Sequence, residues 1–262
     1  MNFSCYFRIL WWLLLPQHWS LTTCGKIDSM GLRILLGIWL TAVIVLGFSL
    51  PMVARPESWY HLPIVPGLED KARIIFFHVP TAWLSFVGFV FSLIYGIRYL
   101  RKRNPDDDIK SASSAGIGFM FCVLATITGA IWAKFSWGTY WNWDPRQTSI
   151  FVLLLIYGAY FALRSAIEVE EKRAALAAVY AIIAGVTMPF FIFIMPRILG
   201  SLHPEPILNT QGKIQMNTTM FVLFLSSLAG FTGLYYWMWK LHVRTERLRH
   251  RYVQPPGEET HG

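Results

Sequence analysis

The sequence has 262 residues, of which 55% are hydrophobic and only 15% are charged, and its formal net charge is +8. A soluble domain carries about 25% charged residues. This sequence has fewer, and it contains apolar segments long enough to span a membrane. This composition excludes a soluble enzyme, a disordered chain and a nucleic-acid-binding domain. The three cysteines, Cys5, Cys24 and Cys122, share no motif spacing, so no disulfide framework, redox pair or zinc site is predicted.

Residues 1–29 form an N-terminal extension for which several interpretations stay open. Its apolar run, residues 9–15, is too short to span a bilayer. A signal peptide is one interpretation, although a single arginine precedes the run and no A-x-A-like cleavage site follows it. The three tryptophans of the extension favour an interfacial helix. Met30, immediately before the first long apolar segment, is an alternative start of the chain.

Six later segments are long and apolar enough to cross a membrane as helices, since about 20 residues span the hydrocarbon core. Alternation with the period of a strand is absent. The sequence therefore predicts an all-α integral membrane protein, a six-helix bundle over residues 30–241 followed by a basic tail at 242–262. The predicted helices are residues 32–54, 76–99, 113–133, 148–166, 175–196 and 218–240.

The distribution of Lys and Arg predicts the orientation of the bundle. Sixteen of the 23 lie in the two termini and in the loops at 97–112 and 167–174, and seven lie in the other three loops. Positively charged flanks remain in the cytoplasm. Both termini are therefore predicted to be cytoplasmic, with loops 55–75, 134–147 and 197–217 outside.

Tryptophan is concentrated between the third and fourth helices, at residues 132–147. Four of the twelve Trp fall within twelve positions there, whereas the other outer loops contain one, Trp59. An interfacial aromatic belt explains single tryptophans but accounts poorly for this density. Trp137 and Trp141 are four residues apart and share a face of any helical turn. An aromatic platform of this kind suits a flat, apolar, polycyclic ligand.

The residues after this segment predict the start of the fourth helix. Asp144 is an N-cap candidate, Pro145 takes the first helical position, and Gln147 follows three residues after the cap. Arg146 is unexpected, because a cation in the first turn opposes the helix dipole. It either receives an anionic ligand group or pairs with lipid phosphate, and both interpretations stay open.

Three of the seven histidines lie on the outer side: His61 and His203 in loops, and His78 at the start of the second helix. Four membrane crossings separate His78 from His203, so both lie on the same side as the Trp-rich segment whatever the orientation. A His at a helix end is commonly a cap or an interfacial residue. Two of them beside an aromatic surface make haem ligation a competing interpretation, since neutral imidazole is the usual axial ligand of haem iron. His61 is the rival ligand, although Trp59 and Tyr60 favour an interfacial role for it.

The Trp-rich segment carries a resemblance to a known family. Residues 137–144, WGTYWNWD, resemble the WGxxWxWD signature of the WWD haem-handling membrane proteins. Within that group, six helices with one external His on each side of the signature resemble the haem exporter protein C (CcmC) family of cytochrome c maturation. The resemblance covers about residues 32–241, and residues 78–80 match the first His motif. The sequence departs from the family pattern at Ile198 and Leu199, where a Trp pair is common, and at Tyr140, where Trp is frequent.

The resemblance implies a haem carrier in the bacterial cytoplasmic (inner) membrane rather than an enzyme. Non-covalently bound haem b would lie outside the bilayer, with His78 and His203 as the axial ligands of its iron. By position, the signature residues that contact haem would be Trp137, Trp141, Trp143 and Asp144. Arg146, together with Lys134 or Arg197, is our candidate for binding the haem propionates.

The resemblance also implies partners and an alternative function. Haem would pass to a membrane-anchored haem chaperone, and ABC transporter subunits, a small single-span protein and membrane lipid would accompany the chain. The alternative is the membrane subunit of a cytochrome c haem lyase, which attaches haem to apocytochrome. Length argues against a lyase, because six helices leave no large soluble domain for an apocytochrome.

Overall fold

The computed structural model describes residues 29–65, 67–203 and 216–253. The described residues from Leu36 onward form one compact unit. The predictions for residues 1–28, including the interfacial helix, lie outside the described residues.

Within the described residues, six helical segments are long and apolar enough to cross a membrane, which confirms the predicted all-α membrane fold. A π-helical turn, Phe190–Ile194, interrupts the fifth of them, so that α5, this turn and α6 form one apolar segment. The helices are α1 (Ser29–Ser49), α2 (His78–Lys102), α3 (Pro105–Trp137), α4 (Pro145–Ala166), α5 (Glu170–Pro189), α6 (Met195–Ile198) and α7 (Thr218–Val253).

Several helices extend beyond the predicted apolar segments. α3 begins at Pro105 rather than at residue 113, because the Asn104 side chain accepts a hydrogen bond from the Asp106 N–H (3.0 Å) and acidic residues fill the first turn. α7 continues to Val253, and its Arg247 forms two hydrogen bonds with the Asp106 carboxylate. Hydropathy locates only the apolar part of a helix, so these polar turns were missed.

The segment between α1 and α2 contains short elements that the sequence did not predict. Two strands of two residues each, β1 (Met52–Val53) and β2 (Leu62–Pro63), pair in parallel. A 3₁₀ helix, Glu69–Phe76, leads directly into α2. The buried Phe76 anchors this 3₁₀ helix, and its carbonyl accepts a hydrogen bond from the Ser227 hydroxyl of α7. The chain just before His78 is thereby held against α7.

Helices α2 and α3 approach each other closely because glycines face one another. A Cβ atom on Gly88 would lie 2.7 Å from the Cα of Gly118, which is closer than real contacts allow. Small residues of this kind let membrane helices pack backbone to backbone. The main core, which includes Phe89, Tyr157 and Met188, lies beside this contact and joins α2 and α3 to α4 and α5.

Candidate functional site

A cavity of about 710 Å³ opens among the ends of the helices that carry the predicted site residues. Its lining comes from the 3₁₀ helix, α2, α3, α4, the π turn, α6, α7 and the loops next to them, and most of it is apolar. Pockets that bind small molecules and cofactors have volumes of about 300–1,000 Å³ and a few convergent polar groups. The main polar and aromatic side chains in this lining are His78, Trp132, Trp137, Trp141, Asp144, Arg146, Gln147 and His203.

His78 is the first residue of α2, and its imidazole packs against α3. The ring Nδ1 lies 3.0 Å from the hydroxyl oxygen of Thr128. Gly129 provides the space for the ring, since a Cβ at that position would lie 3.0 Å from the His78 Cε1. Two consecutive residues of α3 thus define the position of the imidazole at the cavity wall.

His203 lies in the loop that follows α6 and lines the same cavity. The chain turns at Gly200, whose φ of +65° is in the left-handed region that favours glycine. The main-chain N–H of His203 donates to the Ser201 hydroxyl oxygen (3.1 Å), and its ring centroid lies 5.9 Å from that of Trp132. The structure therefore brings His78 and His203 from different elements to one cavity.

Asp144 connects this loop to the start of α4. The carboxylate caps α4 by accepting from the Arg146 N–H (2.9 Å), as the sequence predicted. It also accepts from the Ser201 hydroxyl (2.8 Å) and from the Leu202 N–H (2.7 Å). Because the Asp144 side chain is buried, these bonds are protected from water. Asp144 thus holds the two residues that precede His203.

Gln147, three residues after the Asp144 cap, does not bond back to the Asp144 N–H as a capping box would require. Its side-chain oxygen accepts from the Asn142 N–H (3.0 Å), and its side-chain nitrogen donates to the Tyr140 carbonyl (3.2 Å). The Asp144 N–H donates instead to the Asn142 side chain (3.2 Å). Gln147 therefore holds the Trp-rich loop against α4.

The tryptophans do not share the helical face that their spacing suggested. α3 ends at Trp137 because Gly138, with φ of +82°, caps it in the left-handed conformation, so Trp137 and Trp141 share no helical face. Trp137 packs edge-on against Trp132, with centroids 5.2 Å apart, and Trp141 packs edge-on against Trp143 at 5.8 Å. Such edge-to-face pairs are favoured by the aromatic quadrupole.

Trp143 lies outside the described lining of the cavity, and its side chain is 68% exposed. Its φ of +59° is unusual for a residue with a bulky side chain. This backbone turn immediately precedes the Asp144 cap and aligns the chain with the start of α4. Trp143 is connected to the cavity lining through its edge-on contact with Trp141.

Among the three candidate cations, the structure places Arg146 at the cavity. Its Nε atom is buried and has no hydrogen-bond partner among the described residues. The Lys134 ammonium donates to the Gly138 carbonyl (2.9 Å), and the exposed Arg197 donates to the Phe193 carbonyl (2.5 Å). Both side chains bind main-chain carbonyls four residues away in the chain.

His61, the rival ligand, lies outside the described lining of the cavity. Its ring packs edge-on against Tyr60, with centroids 4.5 Å apart, and its main-chain carbonyl accepts from Asn217 (3.4 Å). Sequence reasoning missed Thr128, Gly129 and Ser201, because a hydroxyl or a glycine in an apolar helix or loop carries no signal without its spatial neighbour.

The comparisons with known proteins agree with this architecture. A sequence model of the family described as "Heme exporter protein C" matches residues 67–255, a range that includes both cavity histidines and the Trp-rich segment. The chain belongs to the Heme exporter protein C family. It is therefore a multi-pass membrane protein of a family named for handling haem.

Individual relatives extend this similarity over most of the chain. The chain is 32% identical to "Heme exporter protein C" of Bradyrhizobium diazoefficiens over 68% of each chain. It is 29% identical to the Rhodobacter capsulatus protein of the same name, over 79% of this chain and 85% of that protein. It is also 28% identical to "Cytochrome c biogenesis protein CcsA" of Chlamydomonas reinhardtii, over 62% of this chain and 47% of that longer protein.

The cavity has the chemistry that haem, the molecule in the family's name, requires. Two imidazoles supply nitrogen donors of the type that binds haem iron. The lining is predominantly apolar and aromatic, as a macrocycle needs. The Nε of Arg146, which has no hydrogen-bond partner among the described residues, offers a charged donor for a carboxylate. The residues present therefore fit this cofactor as a bound molecule.

Proposed function

We propose that this chain binds haem b non-covalently in the cavity and delivers it to a membrane-anchored haem chaperone during c-type cytochrome maturation. The main observation behind the proposal is that His78 and His203, from separate elements, line one apolar cavity beside the Trp-rich loop. Bound haem would be cargo, and its iron would accept a nitrogen lone pair from each imidazole.

The other residues of the site have distinct roles in this proposal. Trp132, Trp137 and Trp141 supply apolar contact area, and Arg146 binds a propionate through charge-assisted hydrogen bonds. Asp144 positions His203 through Ser201 and Leu202. None of these roles requires the protein to form or break a covalent bond, which supports transfer rather than catalysis.

The proposed setting is the cytoplasmic membrane of a bacterium, with both termini in the cytoplasm and the cavity facing outside. The excess of Lys and Arg at the ends opposite the cavity supports this orientation. Delivery then takes place on the outer side, where the exposed Trp143 is available to a haem chaperone. We also propose ABC transporter subunits, a small single-span protein and membrane lipid as partners.

Visible spectroscopy of the purified full chain tests haem binding. The wild-type protein should retain haem with a low-spin, six-coordinate spectrum. His78→Ala and His203→Ala should each give five-coordinate or water-ligated haem, because one nitrogen donor is lost. His61→Ala, the matched control, should resemble wild type because its ring lies outside the described cavity lining. A wild-type chain without haem, or unchanged spectra in both ligand variants, would overturn the proposal.

Transfer distinguishes this function from a haem lyase. Loaded wild-type protein mixed with the haem chaperone should lose its haem to that protein. Mixed instead with an apocytochrome alone, it should form no thioether bonds, as pyridine haemochrome spectra would show. Formation of covalent haem c in the second mixture would favour the lyase alternative.

A further inference from the structure

The His78 imidazole has two ring nitrogens. In its neutral form one of them carries a proton, and only the other has a lone pair that can bind a metal. Nδ1 lies 3.0 Å from the Thr128 hydroxyl oxygen. That same oxygen lies 2.8 Å from the Leu124 carbonyl oxygen and 3.2 Å from the Ala125 carbonyl oxygen. The Thr128 hydroxyl oxygen therefore lies within hydrogen-bond distance of both the His78 ring and the α3 carbonyls.

The direction of the Thr128 hydroxyl proton determines which ring nitrogen of His78 carries a proton. A hydroxyl has one proton and two lone pairs, whereas a carbonyl oxygen only accepts. The close approach to Leu124 and Ala125 requires that the hydroxyl proton point toward these carbonyls. The lone pairs then face Nδ1, so Nδ1 must carry a proton and donate it. In this tautomer, the lone pair of the imidazole is on Nε2.

We propose that Thr128 is a positioning residue that fixes His78 in the Nδ1–H tautomer and leaves Nε2 for haem iron. This inference rests on the proposed function, in which His78 is an axial ligand. Ligand histidines commonly donate their second ring N–H to a protein acceptor, which orients the ring and raises the basicity of the coordinating nitrogen. Gly129 supports the same geometry by leaving the ring space against α3.

The first test replaces the Thr128 hydroxyl with a methyl group of similar size. Thr128→Val should release haem about 10-fold faster or more, and should raise the midpoint potential of the haem, because the less basic imidazole stabilises ferric iron less. Thr128→Ser restores the hydroxyl and should retain wild-type release and potential. Thr232→Val is the matched control, since its hydroxyl also bonds the carbonyl four residues earlier, at Leu228, but lies on α7.

The second test does not depend on the folding of a Thr128 single variant. In His78→Gly, added imidazole can fill the vacated position and donate an N–H to Thr128, whereas 1-methylimidazole cannot. Imidazole should therefore restore low-spin haem at about 10-fold lower concentration, as one hydrogen bond of ordinary strength contributes. In His78→Gly/Thr128→Val this preference should disappear.

The outcomes separate this inference from the function on which it rests. Wild-type potential and release in Thr128→Val, or the same imidazole preference with and without the Thr128 hydroxyl, overturn the role of Thr128 alone. A His78→Ala protein with an unchanged spectrum overturns the ligand assignment and this inference together. Equal changes in haem release rate and midpoint potential in Thr128→Val and Thr128→Ser would show that packing causes the effect, and would overturn the hydrogen-bond role of Thr128.

Discussion

At the scale of single residues, Asp144 joins two parts of the chain that are far apart in sequence. Its carboxylate caps α4 and also binds Ser201 and Leu202, 57 and 58 residues later. The Ser201 hydroxyl in turn accepts from the His203 N–H. A short network of hydrogen bonds therefore links the helix cap to the backbone of the proposed ligand.

Asp144→Asn separates these two roles. Asparagine is as good an N-cap as aspartate. Its side chain has only one acceptor oxygen, however, so it cannot accept from the Arg146 N–H on one atom and from the Leu202 N–H on the other. We expect α4 to persist while haem is lost roughly 10-fold faster, because the loop before His203 loses a charge-assisted bond. Circular dichroism and haem release measure the two effects. Wild-type release in Asp144→Asn would limit Asp144 to capping.

Gly129→Ala should weaken haem binding without destabilising the fold. Alanine stabilises a helix by about 0.8–1.0 kcal/mol relative to glycine, but the added Cβ would lie 3.0 Å from the His78 ring. The imidazole must then move from its position against Thr128. Gly116→Ala, on the same helix, is the matched control, since its Cβ meets nothing within 4 Å. Equal haem retention in both variants would contradict this geometry.

Arg146 should bind haem propionate more strongly than the other two cations. Arg146→Lys removes the paired N–H donors of a guanidinium, so we expect faster haem release. Arg197→Lys should have little effect, because the exposed Arg197 side chain binds a main-chain carbonyl of its own helical segment. Haem release from detergent-solubilised protein measures both. Equal release from the two variants would favour lipid anchoring for Arg146.

At the scale of helices, the contact between α2 and α3 sets the distance between His78 and the α3 residues that its ring contacts. His78 begins α2, while Thr128 and Gly129 lie near the end of α3. These helices run past each other at Gly88 and Gly118, where their backbones almost touch. A change in this contact should therefore alter the His78–Thr128 distance.

Gly88→Ala tests the helix contact. Its Cβ would lie 2.7 Å from the Gly118 backbone, which cannot move as a flexible side chain can. We expect destabilisation of about 1–3 kcal/mol from overpacking, together with weaker haem retention. Gly158→Ala on α4, where a Cβ meets nothing within 4 Å, should be neutral or stabilising. Thermal unfolding in detergent distinguishes the two, and a stable Gly88→Ala protein would contradict the close contact.

At the scale of the whole molecule, membrane orientation decides which side of the membrane the cavity faces. With Cys5 and Cys24 replaced by Ser, the remaining Cys122 is buried. Thr139→Cys, on the exposed Trp-rich loop, should then react with a membrane-impermeant maleimide in spheroplasts. Arg249→Cys, with a side chain 74% exposed on α7, should react only in inside-out vesicles. The reverse pattern would place the cavity in the cytoplasm.

The six-helix fold was predictable from hydropathy, because the preference of apolar side chains for the bilayer accumulates along each segment. The helix ends were less predictable, since turns such as Pro105–Asp108 are polar and depend on caps and ion pairs. Asp108, for example, is held by two hydrogen bonds from Arg164, 56 residues away. Trp137 and Trp141 share no helical face, because Gly138 ends α3 before Trp141.

The sequence by itself determined the membrane class, the six helices and, through their parity, the common side of His78, His203 and the Trp-rich segment. These properties follow from local composition and from counting crossings. Only the tertiary structure decided that Thr128 and Gly129 face His78, that Asp144 holds the His203 loop, and that Trp143 and His61 lie outside the described cavity lining. Those relations depend on how separate helices and loops pack against one another, and no local pattern encodes such distances.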